Sequence, residues 1–347
     1  MSAPVAVARL RGFSAGLLEG AGMPAADALE VADALLWADL RAVHSHGVSR
    51  LPQYVGWIEA GELNPRPSVS LAVDLPSLAM VEGDRCAGAV GMRRATDEAI
   101  ARAGATGCAS VLLRATTHTG SIGRYTERMA REGLLGIAGS ASVPLMAYHG
   151  ASCAALSTAP LSIAAPGAPG AEPVVFDMAA SRVSNGRLKQ ARRSGEAIPE
   201  DWALDARGKP TTDAAQASIL LPVGGAKGSG LALMLEMVAS LATGNPILAP
   251  ALAARREGRR YPHVQNAFVV AIDARRLAPQ ATRGQAAAEL AAAIHALPPA
   301  GDAPVLLPGE RGHRRRQAQA AAGIALPAGV RRDLEAFAAG RGVDVPW

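Results

Sequence analysis

The chain has 347 residues, of which 49% are hydrophobic, 19% charged and 3% aromatic. This composition allows about two globular domains and excludes wholesale disorder. The net charge of +5 is mild for this length. The basic runs at Arg255, Arg256, Arg259, Arg260 and at Arg311, Arg314, Arg315, Arg316 lack the interleaved aromatics on which nucleic-acid binders stack bases. They read either as solvated faces or as contacts to an anionic small molecule such as a phosphate-bearing cofactor.

Cys86, Cys108 and Cys153 are odd in number, widely spaced and form no C-x-x-C pair, which argues against a disulfide framework or a structural zinc site. The first residues lack a basic stretch followed by an apolar core, and no run of about 18 apolar residues occurs. The expectation is a cytoplasmic protein without a membrane span.

In chain order, residues 5–20 and 25–43 read as helices, the second with apolar residues at helical spacing from Leu29 to Val43. Ser49 is placed to cap a third helix carrying Leu51, Tyr54, Val55 and Ile58, with Gly61 closing it. Strands are expected at 69–73 and 78–82. The pattern then alternates through helix 88–104, strand 108–114, helix 121–132 and strand 134–139. Further strands are expected at 161–165, 174–176 and 267–272, and helices at 228–242 and 284–296. Alternation of this kind predicts an α/β protein. Residues 165–173 read as a surface loop.

Three segments could carry chemistry. His44-Ser45-His46-Gly47-Val48-Ser49-Arg50 lies between two predicted helices. His44-x-His46 has a familiar metal-ligand spacing, the basis for a metal-dependent hydrolase, but no downstream cluster supplies the remaining ligands. A polar inter-helix loop is the plainer alternative. The sharper one takes Arg50 as a two-pronged carboxylate clamp and His46 as a proton donor, which is what reduction of a 2-oxo acid requires. Thr117-His118-Thr119-Gly120-Ser121-Ile122-Gly123 follows a predicted strand and opens a helix, presenting free N–H groups to an anion. It does not match G-x-G-x-x-G. Gly224-Gly225-Ala226-Lys227-Gly228-Ser229-Gly230 also opens a helix but departs from the P-loop order, so a nucleoside triphosphatase is not expected.

Seven ordered stretches carry a resemblance: ADLRAVHSHGVSRLPQY, THTGSIGRY, LSTAPL, VVFDMAAS, GKPTTD, GGAKGSGLALMLEM and LPGE. The chain resembles the malate/L-lactate dehydrogenase family that is unrelated to Rossmann-type enzymes. This is also called the sulfolactate dehydrogenase-like family, and it includes ureidoglycolate dehydrogenase, diketogulonate reductase and piperideine-2-carboxylate reductase. The resemblance implies an α/β sulfolactate dehydrogenase-like fold with a non-Rossmann NAD(P)-binding domain and an N-terminal helical part. It implies a homodimer, with NADP, or else NAD, as cofactor.

The resemblance also assigns residues. His46, Ser45 and His118 fall on catalytic positions, with His46 preferred over His118 as the acid/base. Arg50, Tyr54 and Thr158 fall on substrate positions. His118, Thr119, Gly120, Ser121, Ile122, Ser142, Phe176, Asp177, Met178, Lys227, Gly228, Gly309, Glu310 and Arg311 fall on cofactor positions. No metal is implied. The corresponding division is an N-terminal substrate-side region over 1–115, an NAD(P)-binding domain over 116–285, and a C-terminal segment over 286–347 that returns to the first region and closes the cofactor site.

Departures from the family pattern point to a changed substrate. The usual Gly-His-Asp is Ala42-Val43-His44, G-T-N-P is Ser157-Thr158-Ala159-Pro160, and an expected Asn is Ala141. Aligning Phe176–Ser181 puts Arg187 at or beside the place where the piperideine-type branch carries an Asp. The expectation is therefore hydride transfer between NAD(P)H and an open-chain 2-oxo or 2-hydroxy carboxylate. Reduction of a cyclic ketimine, such as piperideine- or pyrroline-2-carboxylate, is the alternative. The partner is a small carboxylate rather than a nucleic acid or a membrane.

Overall fold

The structure is a computed structural model that describes residues 3–347. Helices α1 (Val7–Gly20), α2 (Ala25–Leu40) and α3 (Leu51–Glu59) form the N-terminal layer. Each turns an apolar stripe inward: Leu10, Leu17 and Leu18 on α1, Val31, Leu35 and Leu36 on α2, Leu51, Tyr54 and Val55 on α3. Ser49 does not cap α3. Its hydroxyl donates to the His44 carbonyl at 2.5 Å, and Arg50 stands at the N-cap with no side-chain bond. Pro52 compensates, since its missing N–H falls where a helix start leaves that donor unused.

A seven-stranded mixed sheet forms the centre, in the order β1-β2-β3-β11-β4-β7-β8. Its strands are β1 (Ser70–Asp74), β2 (Leu78–Cys86), β3 (Cys108–Thr116), β4 (Leu135–Ser142), β7 (Leu161–Ala165), β8 (Val174–Met178) and β11 (Gln265–Ile272). Only β2 and β3 pair in parallel, joined by the crossover helix α4 (Gly88–Thr106); the other neighbours are antiparallel. Residue 115 falls within β3, so this sheet combines strands from both sides of that position.

The sheet is buried on both faces, as the two-residue period of its side chains requires. Val111, Leu113, Val269 and Ala271 pack under α4 and α5 (Gly123–Arg131), with Met92, Tyr125 and Met129. Phe268, Leu112 and Val270 face the other side, toward α6 (Asn185–Ser194) and α7 (Ala226–Glu236). Opposite Phe268, Gly139 carries no side chain because a Cβ would lie 2.5 Å from the ring.

A smaller sheet, in the order β6-β5-β10-β9, combines β5 (Met146–Ala147), β6 (Ala154–Leu156), β9 (Ala203–Leu204) and β10 (Ile219–Leu220). After a π-helical turn at Met237–Leu241 come α8 (Leu248–Arg256), β11, α9 (Gln280–His295), α10 (Glu310–Ala322) and α11 (Ala328–Ala339). The last helices return to the start of the chain. Ile324 bridges to Val5, and Val330 and Leu334 complete the N-terminal core.

A buried charge cluster fastens α10 to α2 and α5. Glu127 Oε2 accepts from Arg41 at 2.6 Å and from the Trp37 indole at 2.8 Å, while Oε1 accepts from Arg131 at 2.6 Å. Glu172 joins Arg131 to Arg316 of α10. Burial pushes the Arg41 guanidinium down to about 10, against the pull of Glu127. Ligand atoms of Glu127, Glu172 and His313 lie within 4.8 Å of one another, but three guanidiniums already occupy the carboxylates and would repel a cation. Glu127→Gln should leave Arg41 buried without its counter-charge and cost about 3 kcal/mol. Urea unfolding of the variant measures this, and a loss below about 1 kcal/mol would mean the cluster is not a structural fastener.

Candidate functional site

The site begins at the end of α2. Asp39 is fully buried and points into the turn that follows. Its Oδ1 lies 2.7 Å from His44 Nδ1, and its Oδ2 accepts the Val48 N–H at 2.7 Å. Burial raises the Asp39 pKa, opposed by these two hydrogen bonds. Gly47 is required beside it, because a Cβ there would meet Asp39 Oδ1 at 2.1 Å. The chain therefore passes through two short 3₁₀ turns, His44–His46 and Val48–Arg50. His44 is held by Asp39, while His46 is held by Ser45 and stacked on His118. The two rings are committed to different partners, so the His-x-His spacing does not form one metal site.

His46 lies on a cleft of about 1330 Å³ between the N-terminal helices, the central sheet and α10. Its ring stacks on His118, with centroids 5.4 Å apart and planes at 21°. Ser45 Oγ is 2.9 Å from His46 Nδ1, and the Tyr54 hydroxyl is 2.7 Å from His118 Nδ1. Each imidazole thus has one nitrogen fixed from behind and its Nε2 without a protein partner. Burial, and then the nearby Arg50, push His46 down to about 3; the same causes, with His46 and His263 added, push His118 well below the usual histidine range. Burial holds the Tyr54 hydroxyl protonated, pushed up to about 12.

Arg50 donates Nε to the Ser45 carbonyl at 2.6 Å and one N–H to Gln53 at 2.8 Å. No carboxylate pairs with it among the described residues, and its remaining N–H groups are free for a ligand. His263, which sequence reasoning missed, lines the cleft and stacks on Trp57 at 4.3 Å. Gln265 fixes its tautomer. Because Gln265 Oε1 accepts from Thr119 N and Oγ1, the Gln265 amide must donate toward His263 Nε2, leaving the ring proton on Nδ1. Burial pushes His263 down to about 4.

Arg187 does not face the histidines. Its guanidinium pairs with Glu196 at 3.0 Å. The residue against Ser45 is Gly186, where a Cβ would lie 2.0 Å from Ser45 Cβ. That packing sets α6 directly on the His46 turn.

The far end of the cleft suits a dinucleotide. Thr119, Gly120 and Ser121 form a turn ahead of α5, with Gly120 at φ 73°, a conformation open to glycine. Asp177 accepts the Gly123 N–H at 2.9 Å, and desolvation pushes its carboxyl up to about 6. Phe176 is 40% exposed beside it, a bare ring for stacking. Gly309, at φ 90°, opens α10, whose Arg311 and Arg315 also border the cleft. The volume exceeds the range of about 300–1,000 Å³ typical of drug-sized ligands. Oriented N–H groups, a ring platform, an acceptor for hydroxyls and two free guanidiniums match the parts of NAD(P).

Of the residues singled out in the sequence, His46, Arg50, His118, Thr119, Gly120, Ser121, Ile122, Ser142, Thr158, Phe176, Asp177, Met178, Gly309 and Arg311 all border this cleft. Ser45 and Tyr54 lie behind the histidines. Tyr54 was expected at the substrate, but its hydroxyl is engaged by His118 Nδ1. Glu310 turns away, accepting the Leu307 N–H and pairing with His295. Lys227 is exposed at the start of α7 and does not border the cleft, and neither does Gly228. A Cβ on Gly228 would meet the Val223 carbonyl at 2.2 Å, so its place is explained by backbone packing.

Residues 5–335 match the family model described as malate/L-lactate dehydrogenase. The malate dehydrogenase of Pyrococcus horikoshii is 39% identical over 246 residues, 68% of either chain. A malate dehydrogenase structure from the same organism superposes with a TM-score of 0.87 over 99% of this chain and 96% of that one, at 30% identity. The ureidoglycolate dehydrogenase (NAD(+)) of Escherichia coli O157:H7 is 36% identical, covering 65% of this chain and 64% of its own length. The (2R)-3-sulfolactate dehydrogenase (NADP(+)) of Chromohalobacter salexigens is 34% identical, covering 71% and 74%. The chain, with its clamp-like arginine and paired neutral histidines beside a dinucleotide-sized cleft, belongs to the malate/L-lactate dehydrogenase family and is an NAD(P)-dependent dehydrogenase.

Proposed function

We propose that the protein oxidises an open-chain 2-hydroxy carboxylic acid, and reduces the corresponding 2-oxo acid, with Arg50 on the carboxylate and His46 as the acid/base. The observation that carries this is the free edge of Arg50 beside two imidazoles whose Nε2 atoms have no protein partner. NAD(P), which Thr119, Gly120, Ser121, Phe176, Asp177 and Arg311 would hold, would supply the hydride acceptor for C2 of the hydroxy acid, or the hydride donor for the oxo acid. The chain's own residues do the rest. The terminal N–H groups of Arg50 hold the two carboxylate oxygens in parallel and fix the C2 oxygen over the histidines.

Ser45 Oγ can accept the His46 Nδ1 proton, which leaves Nε2 with a lone pair to take the hydroxyl proton. The protonated Tyr54 hydroxyl donates to His118 Nδ1, so His118 keeps its proton on Nε2 and donates a hydrogen bond to the same substrate oxygen. Burial and Arg50 keep both rings neutral, the form a base needs. The substrate carboxylate offsets Arg50, the charge that disfavours an imidazolium, and so allows His46 to hold the proton after transfer.

His46→Ala should lower kcat by about 100- to 10,000-fold. His118→Ala should lose less, because a hydrogen-bond donor rather than the base is removed. Steady-state rates of both variants decide this, and a dead His118 variant beside a near-normal His46 variant reverses the roles. With His46 pushed down to about 3 in the free protein, kcat/KM for oxidation should show no histidine limb near pH 6.5.

Arg50→Lys keeps the charge but loses the fork. Substrate KM should rise at least tenfold while the affinity for NAD(P)H, read by fluorescence titration, stays within about twofold. A large loss of nucleotide affinity would move Arg50 to the cofactor.

The cofactor is NADP. Of the basic run in α10, Arg316 pairs with Glu172 and His313 bonds the Pro173 carbonyl at 3.0 Å; of the remaining Arg311, Arg314 and Arg315, only Arg311 and Arg315, four apart on one face, border the cleft. Two free guanidiniums suit a 2′-phosphate. Replacing both with Ala should lower kcat/KM for NADPH at least tenfold more than for NADH. Equal losses, or a native preference for NADH, would remove this assignment.

The assembly is a homodimer and the compartment is the cytoplasm. The first is supported by the exposed apolar stripe of α7 and the π turn, formed by Leu233, Met234, Met237, Val238 and Leu241. The second is supported by free, exposed thiols at Cys108 and Cys153, which suit a reducing compartment.

A further inference from the structure

The substrate end of the cleft holds more positive charge than one carboxylate needs. Along with Arg50 and the neutral histidines, Lys189 of α6 borders it. Gly186 of α6 is pressed on Ser45, and Lys189 lies three residues on, along the same helix face. Its backbone is therefore about one helical turn from the residue packed on Ser45, and Arg50 is the charge that acts most strongly on its ammonium.

Neighbouring cations on α6 are spoken for. Arg187 pairs with Glu196, Arg192 donates to the Ala214 and Ala217 carbonyls, and Arg193 pairs with Asp333. Lys189 has no ion pair or hydrogen bond among the described residues. Burial lowers its pKa first, and Arg50, Arg193 and Arg192 lower it further, so the charges that act on it are all positive. Among the described residues the one carboxylate bordering the cleft, Asp177, lies against Gly123, beside the turn at 119–121. A cleft end lined by one sign of charge concentrates the opposite sign.

We propose that Lys189 is a specificity-determining residue that binds a second acid group, so that the substrate is a dianionic 2-hydroxy acid held by Arg50 at the C1 carboxylate and by Lys189 at its terminal carboxylate or sulfonate. This rests on Arg50 being the carboxylate site. A monoanionic 2-hydroxy acid of the same length would leave the Lys189 ammonium without an anionic partner.

Two measurements test it. In steady-state kinetics with both enantiomers of malate and of 2-hydroxybutyrate, the unaltered protein should prefer the dianion at least tenfold in kcat/KM. Lys189→Met should lower kcat/KM on malate at least tenfold more than on 2-hydroxybutyrate, chiefly through KM, and Lys189→Arg should restore most of the preference. Calorimetric titration of the NAD(P)-loaded protein with succinate and with butyrate, which carry no 2-hydroxyl and cannot react, should show the same charge discrimination and its loss in Lys189→Met. Oxidation of neither hydroxy acid would overturn the proposed reaction, while the succinate and butyrate titrations would still decide Lys189. An equal effect of Lys189→Met on mono- and dianions would overturn this assignment. So would a raised KM for NAD(P) with an unchanged substrate ratio, which would place Lys189 on the nucleotide.

Discussion

The active cleft depends on one buried carboxylate. Asp39 sits at the C-terminal end of α2, where the helix dipole is unfavourable to a negative charge. It is fully buried, and its charge is matched only by the His44 imidazole and the Val48 N–H. An unpaired carboxylate there would be costly, so the chain between residues 43 and 48 must curl to deliver both partners. That curl turns His46 outward, brings the Ser45 carbonyl to Arg50 Nε and starts α3 with Tyr54 under His118. Gln319 of α10 donates to the Asp39 and Leu40 carbonyls, so the helix that carries the cofactor-side arginines is tied to the same turn. Substrate and cofactor ends of the cleft are thereby registered to each other through a few bonds.

Charge is divided along that cleft. The substrate end is cationic, with histidines that burial and Arg50 keep neutral. The cofactor end offers N–H groups, hydroxyls and the desolvated Asp177 carboxyl. Alone, this end of the cleft resists protonation, and an anionic substrate changes the field so that a proton taken from it can be kept. The substrate therefore supplies part of the electrostatics of its own reaction, and a neutral analogue would lose more than its binding contacts.

The elements readable from sequence were those with a single apolar face, a two-residue alternation or a continuous apolar run. α2, α4, β3 and β11 match their expected spans within a few residues, the first three because their buried positions recur at the proper period and β11 because its apolar run is buried almost without a break. α10 was not legible: ERGHRRRQAQAAA buries only His313 and is held by ion pairs rather than an apolar stripe. α6 buries only Leu188 and Ala191, too little to give a periodic signal. The two-residue strands of the smaller sheet carry no periodic signal at all. Within the site, the motif residues were legible by resemblance. Asp39, Lys189, Gly186 and His263 were not, because each gains its meaning only from a partner distant in sequence or turned inward by the fold. Lys227 shows the converse, since a glycine-rich helix start does not reveal which cleft it faces.

The departures from the family pattern have a physical reading in the backbone. Ala42 stands where the family has Gly, and its φ is 58°; Ala159 stands where the family has Asn, and its φ is 34°. Gly and Asn are the residues that reach this left-handed region most easily, whereas other residues are strained there by about 1–2 kcal/mol. The chain has lost both residue types and kept the backbone shape that called for them. One position opens the turn to His44–His46 and the other follows Thr158 on the cleft wall. Strain retained on two sides of a site implies that the surrounding bonds over-determine its geometry. Asp39 does this for the first, and for the second the Ser157 hydroxyl accepting the Ala159 N–H at 3.2 Å contributes. At both positions the strained backbone is thus held by bonds from neighbouring residues rather than by the residue type that occupies it.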